Sequence, residues 1–348
     1  MLILTGRDVC QVLEGNEPQI LDAIREAYIQ HSGGTTSLPH SVFLRFPDNE
    51  RDRIIALPAY LGGAAPVAGV KWIASFPANV QHGIERASAA IIMNSPINGR
   101  PEVMLEGSVI SARRTGASAA LAASLLSAPA DAAGVTIIGC GVINFEVLRF
   151  LLHVYPNLAE ATLFDANEGN AESFAERCSR TFPALRILIE PDRTSALAAH
   201  TLVSIATTAT TPYLETSALP PGSLILHMSL RDVLPQAIVK SVNIVDDADH
   251  VCRAGTSLEL AERITGDRSF ITTEIGDLAA MQRPLPRDPV RTTVFSPFGL
   301  GVLDLAVARV VLNGAQKERL GLQIDDFFPT QNVSKPRERA LPQSPAPR

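Results

Sequence analysis

The chain has 348 residues, 30 of them Lys or Arg against 36 Asp or Glu, giving a formal net charge of −6. This length predicts about two domains, and a hydrophobic content of 46% excludes disorder over most of the chain. No Lys/Arg-rich run is present, which argues against a nucleic-acid partner. Four scattered cysteines without a CxxC pair, and no secretory or membrane-spanning pattern, lead us to expect a cytoplasmic protein without a membrane partner.

The first third of the chain combines a helix with a series of strands. Apolar side chains of residues 17–31 recur on one helical face. Several strand-like segments then follow without an intervening helix, and Asn98-Gly99 is a hairpin signal. These segments are residues 41–46, 53–61, 67–76, 87–94 and 101–105. Their succession predicts a mainly antiparallel sheet.

From residue 108 onward, helix and strand alternate. Residues 108–127 are rich in Ala and Leu and predict a long helix. The later predicted strands are residues 135–138, 161–164, 186–189, 202–206, 223–227 and 242–245. The later predicted helices are residues 142–155, 167–182 and 299–314. This alternation predicts an α/β fold with a parallel sheet covered by helices on both faces.

A glycine pair joins the first strand of this alternation to its helix. Gly139 permits a tight turn, and Gly141 lets a pyrophosphate approach the backbone. The helix N-terminus at Val142 and Ile143 then offers free N–H groups and a positive dipole end. Asn144 occupies the third glycine position of the usual GxGxxG motif, so we expect slightly looser packing between helix and strand. The motif predicts a dinucleotide site, with a glycine turn of another α/β domain as the alternative.

An aspartate at the end of the next strand refines the cofactor prediction. Asp165 follows the glycines by about 20–25 residues, where an acidic residue binds the ribose 2′-hydroxyl. No arginine follows it to hold a 2′-phosphate, so the sequence predicts NAD rather than NADP. Thr207 follows a later strand and either contacts the cofactor through its hydroxyl or only forms a turn. The seven histidines form no HExxH pattern, and we predict no metal site.

Four cations stand out around the predicted strands and the long helix. Lys71 ends an apolar strand, Arg45 lies between apolar neighbours, Arg86 begins a strand, and Arg114 lies on a nearly uncharged helix. Each of them alone is also compatible with an ordinary solvated surface position. Together they suit a substrate with several carboxylates, because guanidinium groups bind carboxylates through two parallel hydrogen bonds.

Several motifs in one order resemble the ornithine cyclodeaminase/mu-crystallin family over about residues 41–304. They are Gly69-Val70-Lys71, Arg114-Thr115, Gly139-Cys140-Gly141, Asp165, the strand-end Asp232, and Ser296-Pro297-Phe298-Gly299 with Asp304. The resemblance implies a Rossmann NAD-binding domain and an α+β domain that binds substrate and forms a homodimer. It places these domains at residues 117–302 and 1–116, with residues 303–329 completing the latter. We expect residues 330–348 to form a disordered tail.

The resemblance also implies roles for individual residues. Arg45, Lys71 and Arg114 match ligands of the substrate carboxylate, and Asp232 matches an acid that contacts the substrate nitrogen. Either Lys71 or Asp232 would be the catalytic base. The alternative without a catalytic role for Asp232 is a surface ion pair with the neighbouring Arg231.

The same resemblance places further residues in the cofactor site. Thr115 and Ser296 belong to it, and Arg114 serves cofactor as well as substrate. His227 lies at a strand end beside the predicted site, where a packed polar role is the more frequent outcome.

One branch of the family matches the first domain best. Residues 69–75, 85–94 and 105–115 are similar to secondary-amine dehydrogenases that release 2,3-diaminopropionate, 2-oxoglutarate and NADH. Their substrate is a small acidic amino acid with three carboxylates, which suits the four cations. Two alternatives stay open: an ornithine-type cyclodeaminase that releases ammonia, and a mu-crystallin-like ligand-binding protein.

Overall fold

The computed structural model describes residues 1–126, 133–281 and 285–328. Its strands are β1 Leu2–Leu4, β2 Thr36–Ser37, β3 Val42–Phe46, β4 Asn49–Leu61, β5 Val67–Ser75, β6 Ala87–Asn94, β7 Pro101–Glu106, β8 Gly134–Ile138, β9 Glu160–Phe164, β10 Arg186–Ile189, β11 Leu202–Ile205, β12 Leu224–His227, β13 Val242–Val245, β14 Ile271–Glu274, β15 Thr293–Ser296 and β16 Leu322–Gln323. Its helices are α1 Gly6–Leu13, α2 Glu17–Ser32, α3 Ser108–Leu125, α4 Val142–Val154, α5 Glu168–Thr181, α6 Arg193–Ala199, α7 Pro235–Lys240, α8 Ala248–Val251, α9 Ser257–Thr265, α10 Ile275–Ala280 and α11 Gly301–Glu318. A short 3₁₀ helix covers Pro77–His82.

The strands form two separate sheets. Sheet A has the order β16-β1-β7-β6-β5-β4-β2, with β3 added on β4. All of its pairs are antiparallel except β1 with β7. Sheet B has the order β10-β9-β8-β11-β12-β15-β13-β14 and is parallel throughout. The structure thus confirms the predicted antiparallel sheet followed by a Rossmann-type parallel sheet.

The predicted elements agree closely with the observed ones, apart from short segments that were missed. Strands β6, β10 and β13 have the predicted bounds, whereas α11 begins two residues later than predicted and extends to Glu318. Helix α1 was missed, although Thr5 and Asp8 form a capping box that marks its start. Strand β15 was also missed, and it lies in the middle of sheet B between β12 and β13.

Two long helices connect the sheets. Helix α3 carries no charge after Arg114 because it is buried between α2 on one side and α4 on the other. Helix α11 returns to pack on α1, α2, β4 and β5. The predicted boundary at residue 116 falls inside α3, and the division into 1–116 and 117–302 stays a prediction. The predicted tail, 330–348, lies outside the described residues.

One face of sheet A is covered by a helix, whereas the other face exposes large apolar side chains. Lys71 and its neighbours at alternate positions of β5 lie on the inner face, against α11. On the other face, which we call the outer face, Trp72 lies opposite Ala56 and Ala90. Large apolar side chains are exposed on this outer face, namely Val42, Leu44, Trp72 and Met104.

Candidate active site

The glycine turn lies where the strand order of sheet B reverses. Strand β8 has β9 on one side and β11 on the other, and ligands of such sheets bind beyond the carboxyl ends at this point. Gly139 has φ 91°, and a Cβ there would lie 2.3 Å from the carbonyl oxygen of Ala206. Gly141 caps α4 without a side-chain hydrogen bond, and a Cβ there would meet nothing within 4 Å. The first N–H groups of α4 therefore face open space that suits a pyrophosphate.

Asn144 corrects the expectation of looser packing. Its side chain is fully buried and donates to the carbonyl oxygens of Ile138 at 2.9 Å and Gly139 at 2.7 Å. Its amide oxygen accepts a hydrogen bond from the Ser204 hydroxyl at 2.6 Å. The asparagine thus ties the turn to β11, whereas a glycine in this place would leave these groups to find other partners.

Asp165 lies at the tip of β9, beside the glycine turn. Its carboxylate accepts hydrogen bonds from the backbone N–H of Cys140 at 2.8 Å and of Asn167 at 2.9 Å. The segment 166–170 that follows carries no basic residue. The residues present therefore fit NAD: an open helix end for the pyrophosphate, and a fixed carboxylate for the ribose hydroxyls.

Replacing Asp165 by serine is expected to raise KM for NAD by about 10- to 100-fold, since a hydrogen bond to a charged group contributes roughly 1.5–3 kcal/mol. Use of NADP should improve, because the repulsion between the carboxylate and a 2′-phosphate is gone. Steady-state kinetics with both cofactors measure this, with Glu172→Gln on the exposed side of α5 as control. An unchanged preference for NAD over NADP would contradict the role of Asp165.

Lys71 and Arg114 meet on one buried carboxylate. The Lys71 ammonium donates to Asp304 Oδ2 at 2.7 Å and to the Ser111 hydroxyl at 3.1 Å. The Arg114 Nε donates to Asp304 Oδ1 at 3.1 Å. Lys71 is 3% exposed and Asp304 is fully buried. We call Lys71, Asp304 and Arg114 the lysine triad.

Burial changes the proton affinity of Lys71. Removal from water lowers the pKa of its ammonium to about 8, with the nearby Arg114 acting in the same direction and Asp304 opposing both. An amine with this pKa exchanges its proton near neutral pH, as a general acid or base must. The sequence motif included Asp304 without assigning it a role, and the structure shows it as the shared partner of two cations.

The lysine triad lies at the carboxyl edge of sheet B, where the glycine turn also lies. Gly299 follows β15 with φ 93°, and a Cβ there would come within 2.6 Å of an Arg114 guanidinium nitrogen. Its backbone N–H and that of Phe298 donate to the buried Asp246 carboxylate at 2.7 and 2.9 Å. Burial raises the pKa of Asp246 to about 6. Asp246 was not among the predicted site residues, although an acidic residue directly after a parallel strand is a recognisable signal.

Asp232 lies within a second buried group that contains three of the predicted residues. Its carboxylate accepts hydrogen bonds from the Thr207 and Ser229 hydroxyls, and its Oδ2 lies 3.4 Å from His227 Nε2. The other imidazole nitrogen of His227 lies 3.2 Å from the Ser296 hydroxyl. Although burial opposes ionisation, hydrogen bonds from His227, Ser229 and Thr207 hold the pKa of Asp232 below its ordinary value.

This arrangement decides one of the sequence alternatives. Asp232 is fully buried and makes no salt bridge with Arg231, whose guanidinium donates to the Ala254 carbonyl at 2.6 Å, so the surface ion pair is wrong. The hydroxyls of Thr207 and Ser296 are engaged with Asp232 and His227. Ser296, His227 and Asp232 lie in the order of a hydrolytic catalytic triad. However, Ser296 is only 1% exposed, which argues that it is not a nucleophile.

The remaining predicted residues lie apart from these groups. Arg45 is exposed on β3, and Arg86 is half-buried before β6. The Thr115 hydroxyl donates to the Ser111 carbonyl at 2.6 Å, inside its own helix. Val142 and Ile143 form the partly exposed first turn of α4. Within the described ranges, no group of three His, Cys, Asp or Glu could hold a metal ion, and no helix is long and apolar enough to cross a membrane.

A dinucleotide turn that shares one sheet edge with buried, titratable side chains is the arrangement of an NAD-dependent oxidoreductase. The family model "Ornithine cyclodeaminase/mu-crystallin family" matches residues 3–319, and the chain belongs to this family. The resemblance seen in the sequence motifs is thereby confirmed.

Individual relatives are similar over nearly the whole chain. An N-((2S)-2-amino-2-carboxyethyl)-L-glutamate dehydrogenase of Staphylococcus aureus is 29% identical, over 93% of this chain and 98% of its own. An alanine dehydrogenase of Archaeoglobus fulgidus is 27% identical, over 94% and 98%. Among solved structures, an archaeal alanine dehydrogenase dimer with bound NAD superposes with a TM-score of 0.84 at 25% identity, covering 94% of this chain and 99% of that one.

Proposed function

We propose that the protein oxidatively cleaves N-(2-amino-2-carboxyethyl)-L-glutamate with NAD. The products are L-2,3-diaminopropionate, 2-oxoglutarate and NADH, which would supply a siderophore or peptide natural-product pathway. The observation that carries the proposal is that Arg45 and Arg86 lack an acidic partner among the described residues, while Arg45 shares the inner face of sheet A with Lys71. The similarity to the S. aureus dehydrogenase supports it, and we place the reaction in the cytoplasm.

The cations suit this substrate better than they suit a diamino acid. Arg45 and Arg86 form no salt bridge with any described residue, and Arg114 shares its one carboxylate with Lys71. A ligand with three carboxylates can neutralise such a surface through charge-assisted hydrogen bonds. The cationic tail of ornithine would instead need a free acidic neighbour.

The chemistry requires one hydride transfer and one hydrolysis. Bound NAD would supply the oxidant, taking up the hydride from the glutamate Cα as NADH. Loss of the amine proton accompanies this step and leaves a C=N bond, to which one water adds before the C–N bond breaks. Substrate, NAD⁺ and water thus give 2,3-diaminopropionate, 2-oxoglutarate, NADH and a proton.

Lys71 is the better placed of the two candidate bases. Its amine has a pKa of about 8, so a neutral fraction exists near neutral pH. Asp232 is held ionised, but the Thr207 and Ser229 hydroxyls already donate to its two oxygens. We assign the proton transfers to Lys71 and a positioning and electrostatic role to Asp232.

The direct test combines purified protein with NAD⁺ and N-(2-amino-2-carboxyethyl)-L-glutamate. We expect NADH absorbance to rise in equal amounts with 2,3-diaminopropionate, measured by mass spectrometry. Ornithine is the comparison substrate, since a cyclodeaminase would release ammonia from it without net NADH. Ammonia from ornithine, together with no NADH from the tricarboxylate, would refute the proposal. Tight ligand binding without turnover of any amino acid would instead indicate a binding protein.

We further propose that the outer face of sheet A pairs with a second copy of the chain. Trp72 is 46% exposed and Val42 is 65% exposed, in a row that continues through Ala56 and Ala90. Contiguous exposed apolar surface of this kind marks an interaction site. The archaeal alanine dehydrogenase of similar fold is a dimer, which supports a homodimer here.

Replacing Trp72 by glutamate is expected to convert this dimer to a monomer at micromolar concentration, because a buried carboxylate without a partner opposes association. Sedimentation velocity measures the change in mass. Ile97→Glu is the matched control, since Ile97 is 94% exposed at the hairpin turn and away from the outer face. A Trp72→Glu protein that sediments as the wild type does would contradict the proposed interface.

A further inference from the structure

Three arginines lie at neighbouring positions of sheet A outside the lysine triad, and the charge of a fourth, which follows a strand of sheet B, acts on them. Arg45 lies directly opposite Arg53 in the β3–β4 pair, and Arg53 lies opposite Ser75 in the β4–β5 pair. Ser75 in turn lies opposite Ala87, the residue after Arg86. Directly opposed residues of antiparallel strands point to the same face. Arg45, Arg53 and Ser75 therefore lie on the inner face of sheet A, which Lys71 also occupies four residues before Ser75.

The fourth arginine comes from sheet B. Arg231 follows β12 and directly precedes the buried Asp232. Burial lowers the pKa of Arg53, and repulsion from Arg231, Arg86 and Arg45 lowers it further. Burial and repulsion from Arg45 likewise lower the pKa of Arg231. We call Arg45, Arg53, Arg86 and Arg231 the arginine cluster.

Among the described residues, no carboxylate pairs directly with the arginine cluster, and the charges of Asp232 and Glu259 only partly offset the repulsion on Arg231. None of its four members forms a salt bridge with a carboxylate in the described part of the chain. Arg45 only contacts the Phe43 ring, with its guanidinium carbon 5.5 Å from the ring centroid. Arg231 donates to a backbone carbonyl.

Ser75 adds an independent sign of a ligand. It is 8% exposed, and its hydroxyl oxygen has no hydrogen-bond partner. Buried polar atoms are nearly always paired, so an unpaired hydroxyl beside unpaired cations points to an absent acceptor. Like charges that face each other cost folding free energy, and a bound anion offsets this cost.

We propose that the arginine cluster and Ser75 form a second anion subsite, which binds the carboxylate on the side chain of an acidic substrate while the lysine triad binds the carboxylate beside the reacting carbon. This subsite rests on the proposed function for its place in the reaction. Arg53 and Arg231, which the sequence analysis did not select, are its specificity-determining residues.

Binding of two oxo acids tests the subsite without turnover. The probes are 2-oxoglutarate, which has a side-chain carboxylate, and 2-oxobutyrate, which lacks one. Titration calorimetry on the protein with saturating NADH should show that the wild type prefers 2-oxoglutarate. Arg53→Met and Arg231→Met should each weaken 2-oxoglutarate binding by roughly 10- to 100-fold, the range for a lost charge-assisted hydrogen bond. Binding of 2-oxobutyrate should stay within about threefold, because this ligand makes no such bond.

Three comparisons make the outcome decisive. Arg180→Met, on the exposed side of α5, removes the same charge elsewhere and should leave both affinities unchanged. Thermal unfolding of each variant shows whether the fold is retained, and the two arginine variants test the subsite from separate sheets. Equal affinity of both variants and the wild type for 2-oxoglutarate would overturn the proposal, and so would equal weakening of both probes.

The same series separates the subsite from the proposed function. If N-(2-amino-2-carboxyethyl)-L-glutamate is not oxidised but the preference for 2-oxoglutarate depends on Arg53 and Arg231, the function fails and the subsite stands. If the tricarboxylate is oxidised with wild-type KM by both variants, the function stands and the subsite fails.

Discussion

Replacing Lys71 by methionine is expected to lower kcat by about 10²- to 10⁴-fold, the contribution of a positioned general acid or base. Methionine fills nearly the same buried space but can neither accept nor donate the proton. Steady-state formation of NADH from the proposed substrate measures the loss.

The pH dependence of kcat/KM tests the role of Lys71 as a base more specifically. Lys71 accepts a proton only as the neutral amine, and its pKa is about 8. In the wild type, kcat/KM should therefore rise with pH up to about 8 and then level off. The residual activity of Lys71→Met should lack this rise.

Lys71→Arg is the matched control for the loss of charge. Arginine keeps a cation beside Asp304 but stays protonated, so it should retain stability while activity remains low. Lys71→Met should be less stable than Lys71→Arg, because it leaves only Arg114 beside the buried carboxylate. Wild-type kcat in Lys71→Met would show that Lys71 is not the base and would leave Asp232 in that role.

Replacing Asp304 by asparagine is expected to affect both stability and the pH profile. The carboxylate is fully buried between two cations, and breaking such a pair costs about 3–5 kcal/mol. Because Asp304 raises the pKa of Lys71, its loss lets the ammonium release its proton at lower pH. The rising limb of kcat/KM should move to lower pH, while urea unfolding reports the lost stability.

Asp325→Asn is the control for removal of one negative charge, since Asp325 is exposed beyond β16. It should change neither the urea midpoint nor the pH profile. A rising limb that keeps its wild-type position in Asp304→Asn would contradict the coupling of Asp304 to Lys71.

Because the pKa of Lys71 is lower in the folded protein than in the unfolded chain, the free energy of unfolding depends on pH. Between about pH 8 and 10.5, the unfolded chain holds the Lys71 proton and the folded chain does not. The unfolded state therefore binds more protons, and the contribution of Lys71 to the free energy of unfolding rises with pH across this window.

Local signals sufficed for the elements of the candidate cofactor site. The apolar run before Gly139, the amphipathic segment after it and the strand-end Asp165 are all short-range patterns, and each of them lies where it was predicted. The same patterns gave a wrong expectation at Asn144, because the packing of this residue depends on a hydrogen bond from Ser204 in another strand. Comparison of the sequence with the GxGxxG motif could not reveal that hydrogen bond.

The catalytic and substrate groups were only partly accessible from the sequence. Lys71 and Arg114 were selected as separate cations, and the structure brings them together on Asp304, 233 residues after Lys71. Asp232 was selected as well, yet its partners Thr207 and His227 emerge only from the parallel register of β11 and β12.

By itself, the sequence determined the two-part α/β fold, the dinucleotide turn and four candidate ligand-binding cations in the first third of the chain. Only the tertiary structure decided which cations are paired with a carboxylate inside the protein and which have no such partner among the described residues. Electrostatic and hydrogen-bonding energies depend on distance and burial rather than on separation along the chain. Hence Lys71 and Arg114 share a buried aspartate, while Arg53 and Arg231, 178 residues apart, repel each other and form no salt bridge among the described residues.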